Sequence, residues 1–442
     1  MRLSVREQNS FTAGYFEFGE GIVCFGHGCD FAPAAQAGDA LPDASCGTVM
    51  RSGRMSLSFD AAEAADNLRR EIYAEEWRSG PSTAARLYYL LRPLLPVEVR
   101  KHLQKFHLRN WDKIAFPHWP VDTSVDDLME QLLLLCLRNG NAERIPFIWF
   151  WPEGKSSCAI MTHDVEQAAG RDFCATLMDI DGSYGIRASY QVVPEERYTV
   201  TPEFLQSVRD RGCEVLVHDL NHDGHLYKTR EQFEQRAKKI NVYLKEYRAD
   251  GFRAGVLYRK QLWYDALDCA YDMSVPNVAH LDPQRGGCCT VMPYFIGDIL
   301  EIPVTTVQDY TLFHILNDYS IALWKEQTNI LLAKHGLMNF IVHPDYVMRP
   351  RERAVYEELL QHLTWLREKH DVWMTTPGEV NQWWRQRAEM RVVRNAYGWQ
   401  IEGTGSERAR IAWASEEEGR LQFTVESSRE AVEERELIRA VG

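Results

Sequence analysis

The sequence has no long run of apolar residues. Its greasiest stretches, residues 132–137 and 145–151, fall far short of the roughly 20 residues that a membrane-crossing helix needs. The first residues, MRLSVREQNS, mix charge and polarity and lead into no apolar segment of the secretory kind. A soluble, cytoplasmic protein is therefore expected. Positive charge is not in excess either: 50 Lys and Arg against 63 Asp and Glu give a formal net charge of −13. That balance argues against nucleic acid or an anionic membrane as the main partner. No Gly-rich dinucleotide fingerprint, P-loop or G-x-S-x-G nucleophile elbow is present, so those three chemistries lack their signatures. The ten cysteines include no C-x-x-C pair. Cys158 and Cys213 sit in apolar strand-like runs, and Cys136 and Cys269 in helical ones, which is how reduced core thiols are used.

What is present is an ordinary globular composition, 45% hydrophobic and 26% charged over 442 residues, long enough for more than one domain. Residues 15–25 alternate around glycine like a strand pair, and segments 60–77, 87–106 and 124–138 have helical spacing. Residues 1–145 thus read as a mixed α+β domain of unassigned role. From residue 157 short apolar strands alternate with helices, the pattern of a parallel sheet with crossover helices. The fold class is α/β, and a barrel is favoured over an open sheet, spanning residues 150–389. Residues 390–442 alternate like a small β-appendage and end in a charged, frayed tail of fifteen residues.

In an α/β barrel the chemistry gathers at the C-terminal ends of the strands. Those ends carry His163, Asp164 and Glu166, then His218 with His222 and His225 beyond it, then Arg253, Asp272 and His343. His218 and His222 are four apart, which on a helical turn places both rings on one side. With one carboxylate they make a two-His, one-carboxylate set that leaves a coordination position open. Taken singly, each of these residues also reads as a turn cap or an ordinary ion pair.

The motifs THDVE (162–166), H-x-x-x-H (218–222), FRAG (252–255), YDMS (271–274) and IVH (341–343) occur in the order seen in polysaccharide deacetylases, the NodB-like carbohydrate esterases. The chain resembles that family over residues 150–390. The resemblance implies a distorted (β/α)7 barrel and one divalent metal ion, zinc before others. By the same resemblance Glu166, His218 and His222 are the metal ligands, and Asp164 is the catalytic base held by Arg253. His343 is the general acid, and Asp272 is the residue that orients it. The sequence departs from the family where Val165 replaces a second aspartate and Ala254 replaces a proline, and the roles of Asp164 and Glu166 are open to exchange. The implied activity is hydrolysis of an N-acetyl group on an amino sugar, in a polysaccharide or a glycan precursor. An O-acetyl ester or a non-sugar amide is the enzymatic alternative, and a non-catalytic carbohydrate-binding relative is the alternative of another class.

Weaker signals remain. Cys24, His27, Cys29 and Cys46 match no standard zinc knuckle and read as incidental. Cys288–Cys289 reads as a substrate loop or a buried turn. Trp111, Trp119, Trp149 and Trp151 precede the barrel and suit stacking on sugar faces or an interdomain core, the core reading being preferred.

Overall fold

The computed structural model describes residues 2–5, 12–51, 54–74, 110–140, 142–396 and 398–426. The helix expected over residues 87–106 and the final fifteen residues lie outside them.

The central element is one curled sheet of nine strands. In chain order they are β1 (Cys158–Val165), β2 (Ser189–Val192), β3 (Glu214–His218), β4 (Gly251–Arg253), β5 (Tyr271–Asp272), β6 (Tyr294–Ile296), β7 (Ile299–Glu301), β8 (Leu337–Ile341) and β9 (Trp373–Thr375). The hydrogen-bonded order is β6-β7-β5-β4-β3-β2-β1-β8, with β9 beside the first half of β1. Every pairing is parallel except the β6–β7 hairpin. All eight residues of β1 are buried, as expected for a strand covered by helices on one face and by the sheet's own curl on the other. The covering helices are α1 (Ala168–Ser183), α2 (Pro202–Arg209), α3 (Arg230–Glu246), α4 (Ala322–Ala333), α5 (Pro350–His370) and α6 (Pro377–Glu389). Thr201 and Thr229 open α2 and α3 by accepting the amides of Phe204 and Gln232 at 3.2 Å, the usual N-cap bond.

The backbone ladder does not close into a cylinder, because β6 and β8 are its two ends. Beyond β7 the chain runs through Pro303, which has no N–H to donate. Side chains bridge the seam instead. Thr305 Oγ1 donates to Leu337 O at 2.7 Å and accepts from Asn339 N at 2.9 Å, and Thr306 Oγ1 donates to Asn339 O at 2.8 Å. The α/β class is as read from the sequence, and the barrel is a curled half-barrel. After β4 the chain forms a short 3-10 stretch, Gln261–Ala266. A π-helix at Thr311–Leu316, not legible beforehand, follows β7.

Two further groups of elements pack on this sheet. The hairpin Gly14–Glu17/Val23–Gly26 and the helices Ala61–Arg69 and Ser124–Asn139 share a core around Phe16, Phe18, Phe59 and Leu128. This core is tied to the barrel by Tyr73, whose hydroxyl donates to Gly287 O at 2.6 Å, and by a buried Glu71–Arg259 ion pair. Near the C-terminus, Ile411–Glu417 pairs with Arg420–Val425 and also with Arg144–Ile148. The strand just ahead of the barrel therefore joins the C-terminal sheet.

Candidate metal centre

Alternation along β1 sends Thr162 and Asp164 into the curl of the sheet and His163 the other way. His163 lies fully buried beneath α1 and α5, with Nδ1 at 2.9 Å from Val342 O and Nε2 at 3.0 Å from Asp181. It is thus not part of the rim constellation. His225 is also outside it, half exposed and 3.6 Å from Asp223.

The remaining residues converge. His218 ends β3, and its Nδ1 lies 3.1 Å from Arg253 O. A carbonyl only accepts, so Nδ1 carries the proton and the Nε2 lone pair faces the site. His222 reaches the same place by a different route from the one expected. Residues 219–222 form no helical turn, since Asp219 and His222 both have positive φ, 56° and 55°. Asp219 N donates to Arg253 O, Arg197 donates to His222 O, and the two imidazole rings end 4.9 Å apart. Gly255 makes this possible: a Cβ there would lie 2.5 Å from Asp219 Oδ2 and 2.9 Å from His222 Cδ2.

Glu166, just past β1, points its Oε1 at three histidines: 2.8 Å from His222 Nε2, 3.6 Å from His218 Nε2 and 3.4 Å from His343 Nε2. The ligand atoms of Glu166, His218 and His222 lie within 4.8 Å of one another, the one such group among the described residues. Both Nε2 atoms are buried without a hydrogen bond of acceptable geometry, even with Glu166 close by. Two buried imidazole nitrogens and a carboxylate facing one point are a donor set suited to a divalent cation. Cys24, His27, Cys29 and Cys46 form no comparable group, and His27 pairs with Glu63.

Asp164 stands beside this set. Arg253, wholly buried, donates from Nη1 to Asp164 Oδ1 at 2.7 Å and to Thr162 Oγ1 at 2.9 Å, while its Nε donates to Met273 O at 3.0 Å. Asp164 Oδ2 is left facing His218 Nε2 at 3.7 Å. Burial alone would raise this carboxyl, but the Arg253 charge and hydrogen bond together with the His218 and His343 charges hold Asp164 below the usual carboxylate range.

His343, two residues past β8, is oriented by Asp309 and not by Asp272. Asp309 Oδ1 is 2.7 Å from His343 Nδ1, and Oδ2 accepts the His343 amide at 2.8 Å. Burial would lower the imidazole, yet Asp309 and then Glu166, by charge and hydrogen bond, together lift His343 well above the ordinary histidine value. Asp272 is occupied elsewhere, by Tyr264 at 3.0 Å and by Ser274 through its amide and hydroxyl at 2.9 and 3.0 Å. It shares a buried patch with Glu301, and burial raises both carboxyls. Sequence reasoning missed Asp309 and also Tyr346, whose ring lies 4.7 Å from that of His343. Cys288 and Cys289 are fully buried, so their loop is a buried turn, and Trp149 and Trp151 are core residues as expected.

Among the described residues no helix is long and apolar enough to cross a membrane. No family model matches the chain, and no curated protein does. Solved structures do match it. A Mycobacterium smegmatis structure assigned to the polysaccharide deacetylases is 18% identical, with TM-score 0.44, over 54% of this chain and 93% of that one. The allantoinase Puue is 12% identical, with TM-score 0.43, over 53% and 92%. The peptidoglycan deacetylase PdaC of Bacillus subtilis is 12% identical, with TM-score 0.34, over 52% and 93%. The structural neighbours of this chain include polysaccharide deacetylases.

Proposed function

We propose that the chain is a metal-dependent hydrolase that removes the N-acetyl group from an amino sugar within an oligosaccharide, a polysaccharide or a glycan precursor. The observation that carries this reading is the meeting of three groups at one point: the Glu166–His218–His222 donor set, the Arg253-held Asp164 and the Asp309-held His343.

In this reading Glu166, His218 and His222 hold the ion through Oε1 and the two Nε2 atoms. A divalent ion bound there supplies a Lewis acid for the acyl carbonyl and lowers the pKa of a coordinated water from 15.7 towards about 7. Asp164 is the base: Oδ1 is tied to Arg253, and Oδ2 takes the proton of the attacking water. Arg253 keeps that carboxylate ionised and fixes its direction. His343 is the acid. Asp309 holds its Nδ1–H, so the protonated Nε2 faces the site and delivers a proton to the departing sugar nitrogen. Amide hydrolysis needs this last step because an amine anion is a poor leaving group.

The test is metal analysis of the purified protein together with acetate release from a panel of N-acetylhexosamines and O-acetylated sugars. About one divalent ion per chain and acetate release with a matching free amine are expected. Release of acetate without a new amine would move the activity to O-acetyl esters, and no release from either class would leave a binding protein.

A further inference from the structure

A small cavity opens on the same rim, on walls that continue from the metal centre. It holds about 20 Å³, room for one or two non-hydrogen atoms of a ligand. Leu257 lies two residues past Gly255, which abuts His222. Gln308 immediately precedes Asp309, and Val304 packs with Leu257 and Ile341, two residues before His343. The roof is Trp119, which comes from ahead of the barrel, outside the region that resembles known deacetylases.

Trp119 is held firmly in this position. The buried Asn277 side chain grips the backbone of Asp122 from both sides, accepting its N–H at 2.8 Å and donating to its carbonyl at 2.7 Å. Gln327 donates to Pro120 O at 3.1 Å. The Trp119 ring stacks on the buried His280 at 5.8 Å and 21°. The strap thus lies across the rim held by Asn277, His280 and Gln327.

The cavity is mixed in chemistry. Its lining is mostly apolar, with Trp119, Leu257, Leu281 and Val304 among the residues, and Asp282 and Gln308 supply polar groups. Gln308 Nε2 donates to Asp282 Oδ1 at 3.2 Å. Burial pushes the Asp282 carboxyl up to about 6 against the pull of Arg259. The Gln308 bond uses one carboxylate oxygen, and Oδ2 can accept a further donor. A group that suits this mixed lining and the volume has one apolar carbon and one donating hydroxyl.

We propose that this cavity is a specificity subsite for a hydroxymethyl-sized substituent of the substrate, whose hydroxyl donates to Asp282 while its methylene lies beneath Trp119. The inference rests on the amino-sugar reading above. It makes the N-terminal strap part of the substrate site, with Trp119 and Asp282 selecting sugars by the group next to the ring.

The test uses the full-length, metal-loaded protein and two probes, the methyl glycosides of N-acetylglucosamine and N-acetylxylosamine, which differ in the exocyclic hydroxymethyl group. Binding is read by calorimetry and turnover by acetate release. The native protein should prefer the glucosaminide by about tenfold or more, since a site built to bond a hydroxyl rejects the analogue lacking it. Trp119→Ala and Asp282→Leu should each bring the two probes to within about twofold while the metal content stays at the native level. Equal affinity of the native protein for both probes, with acetate released from both, overturns the subsite and leaves the deacetylase reading standing. A preference that survives in Trp119→Ala also overturns it. Binding of neither probe overturns both.

Discussion

Asp309 grips His343 twice, its Oδ1 at 2.7 Å from the ring Nδ1 and its Oδ2 at 2.8 Å from the backbone amide. One carboxylate therefore sets both the charge and the direction of the imidazole. Asp309→Asn should lower kcat by roughly 10²–10⁴-fold, the range that general acid catalysis supplies. It should also move the alkaline limb of the pH–rate profile to lower pH. The sign follows from the role: His343 acts protonated, Asp309 raises its folded pKa, and removing that charge lets the proton leave sooner. Asp272→Asn, in contact with Tyr264 and Ser274, should leave the alkaline limb in place. A pH profile of both variants checks the assignment, and an alkaline limb that moves only in Asp272→Asn would reverse it.

The acid limb belongs to Asp164. Its folded pKa is depressed by Arg253 against the opposing effect of burial, so the base is ionised above that depressed value and activity falls only as pH drops through it. The same depression contributes folding stability that is present above the unfolded pKa of about 3.9 and is lost as pH falls through the folded one. Asp164→Asn should abolish turnover while retaining the metal, because Asp164 is not among the three clustered ligands. Turnover and metal content measured on one preparation check this. Retained turnover would pass the role of base to Glu166.

Much of this site was legible because its parts sit at strand ends. The apolar runs that became β1, β3 and β8 marked Asp164, His218 and His343 by position alone. Asp309 was not legible: it lies on the segment after β7, 34 residues from His343 in the chain, and nothing in local periodicity links the two. Asp272 took its place in the sequence reading because an acid stands there in the motif order, yet its hydrogen bonds are local, to Ser274 two residues away. The His218–His222 spacing predicted a shared face and did bring the rings together, but for the wrong reason. The backbone between them is a loop with positive φ at Asp219 and His222, not a helical turn. That geometry depends on Arg253 at the end of a neighbouring strand and on Gly255 just past it, which spacing within one segment does not reveal.

Gly255 gives the sharpest steric test. A methyl group there would meet Asp219 Oδ2 at 2.5 Å and His222 Cδ2 at 2.9 Å, both too close, and the nearer part of the imidazole must move. Gly255→Ala should therefore lose metal as His222→Ala does, about 10-fold or more in affinity, although it removes no ligand atom. Competition against a metal-sensitive chelator measures this directly. Native affinity in Gly255→Ala would show that the loop absorbs the methyl group without moving the ligand.

The ion pair between Glu71 and Arg259 joins the N-terminal elements to the barrel, with both side chains essentially unexposed. Glu71 also accepts the Gly287 amide at 2.7 Å, and Arg259 Nε donates to its Oε2 at 2.8 Å. Removing one partner leaves the other charge buried and unanswered, a loss of about 3–5 kcal/mol for such pairs. Glu71→Ala should therefore lower the denaturation midpoint strongly. The double change Glu71→Leu with Arg259→Met should recover much of that loss, because no isolated charge remains. Urea titrations of the single and double variants give the coupling, and equal stability of the two would mean that Arg259 finds water or another partner once Glu71 is gone. The same pair lies next to the loop that carries Gly286 and Gly287. In Glu71→Ala the loss should therefore be accompanied by faster amide exchange at Gly287 and Cys288, ahead of any change at β1.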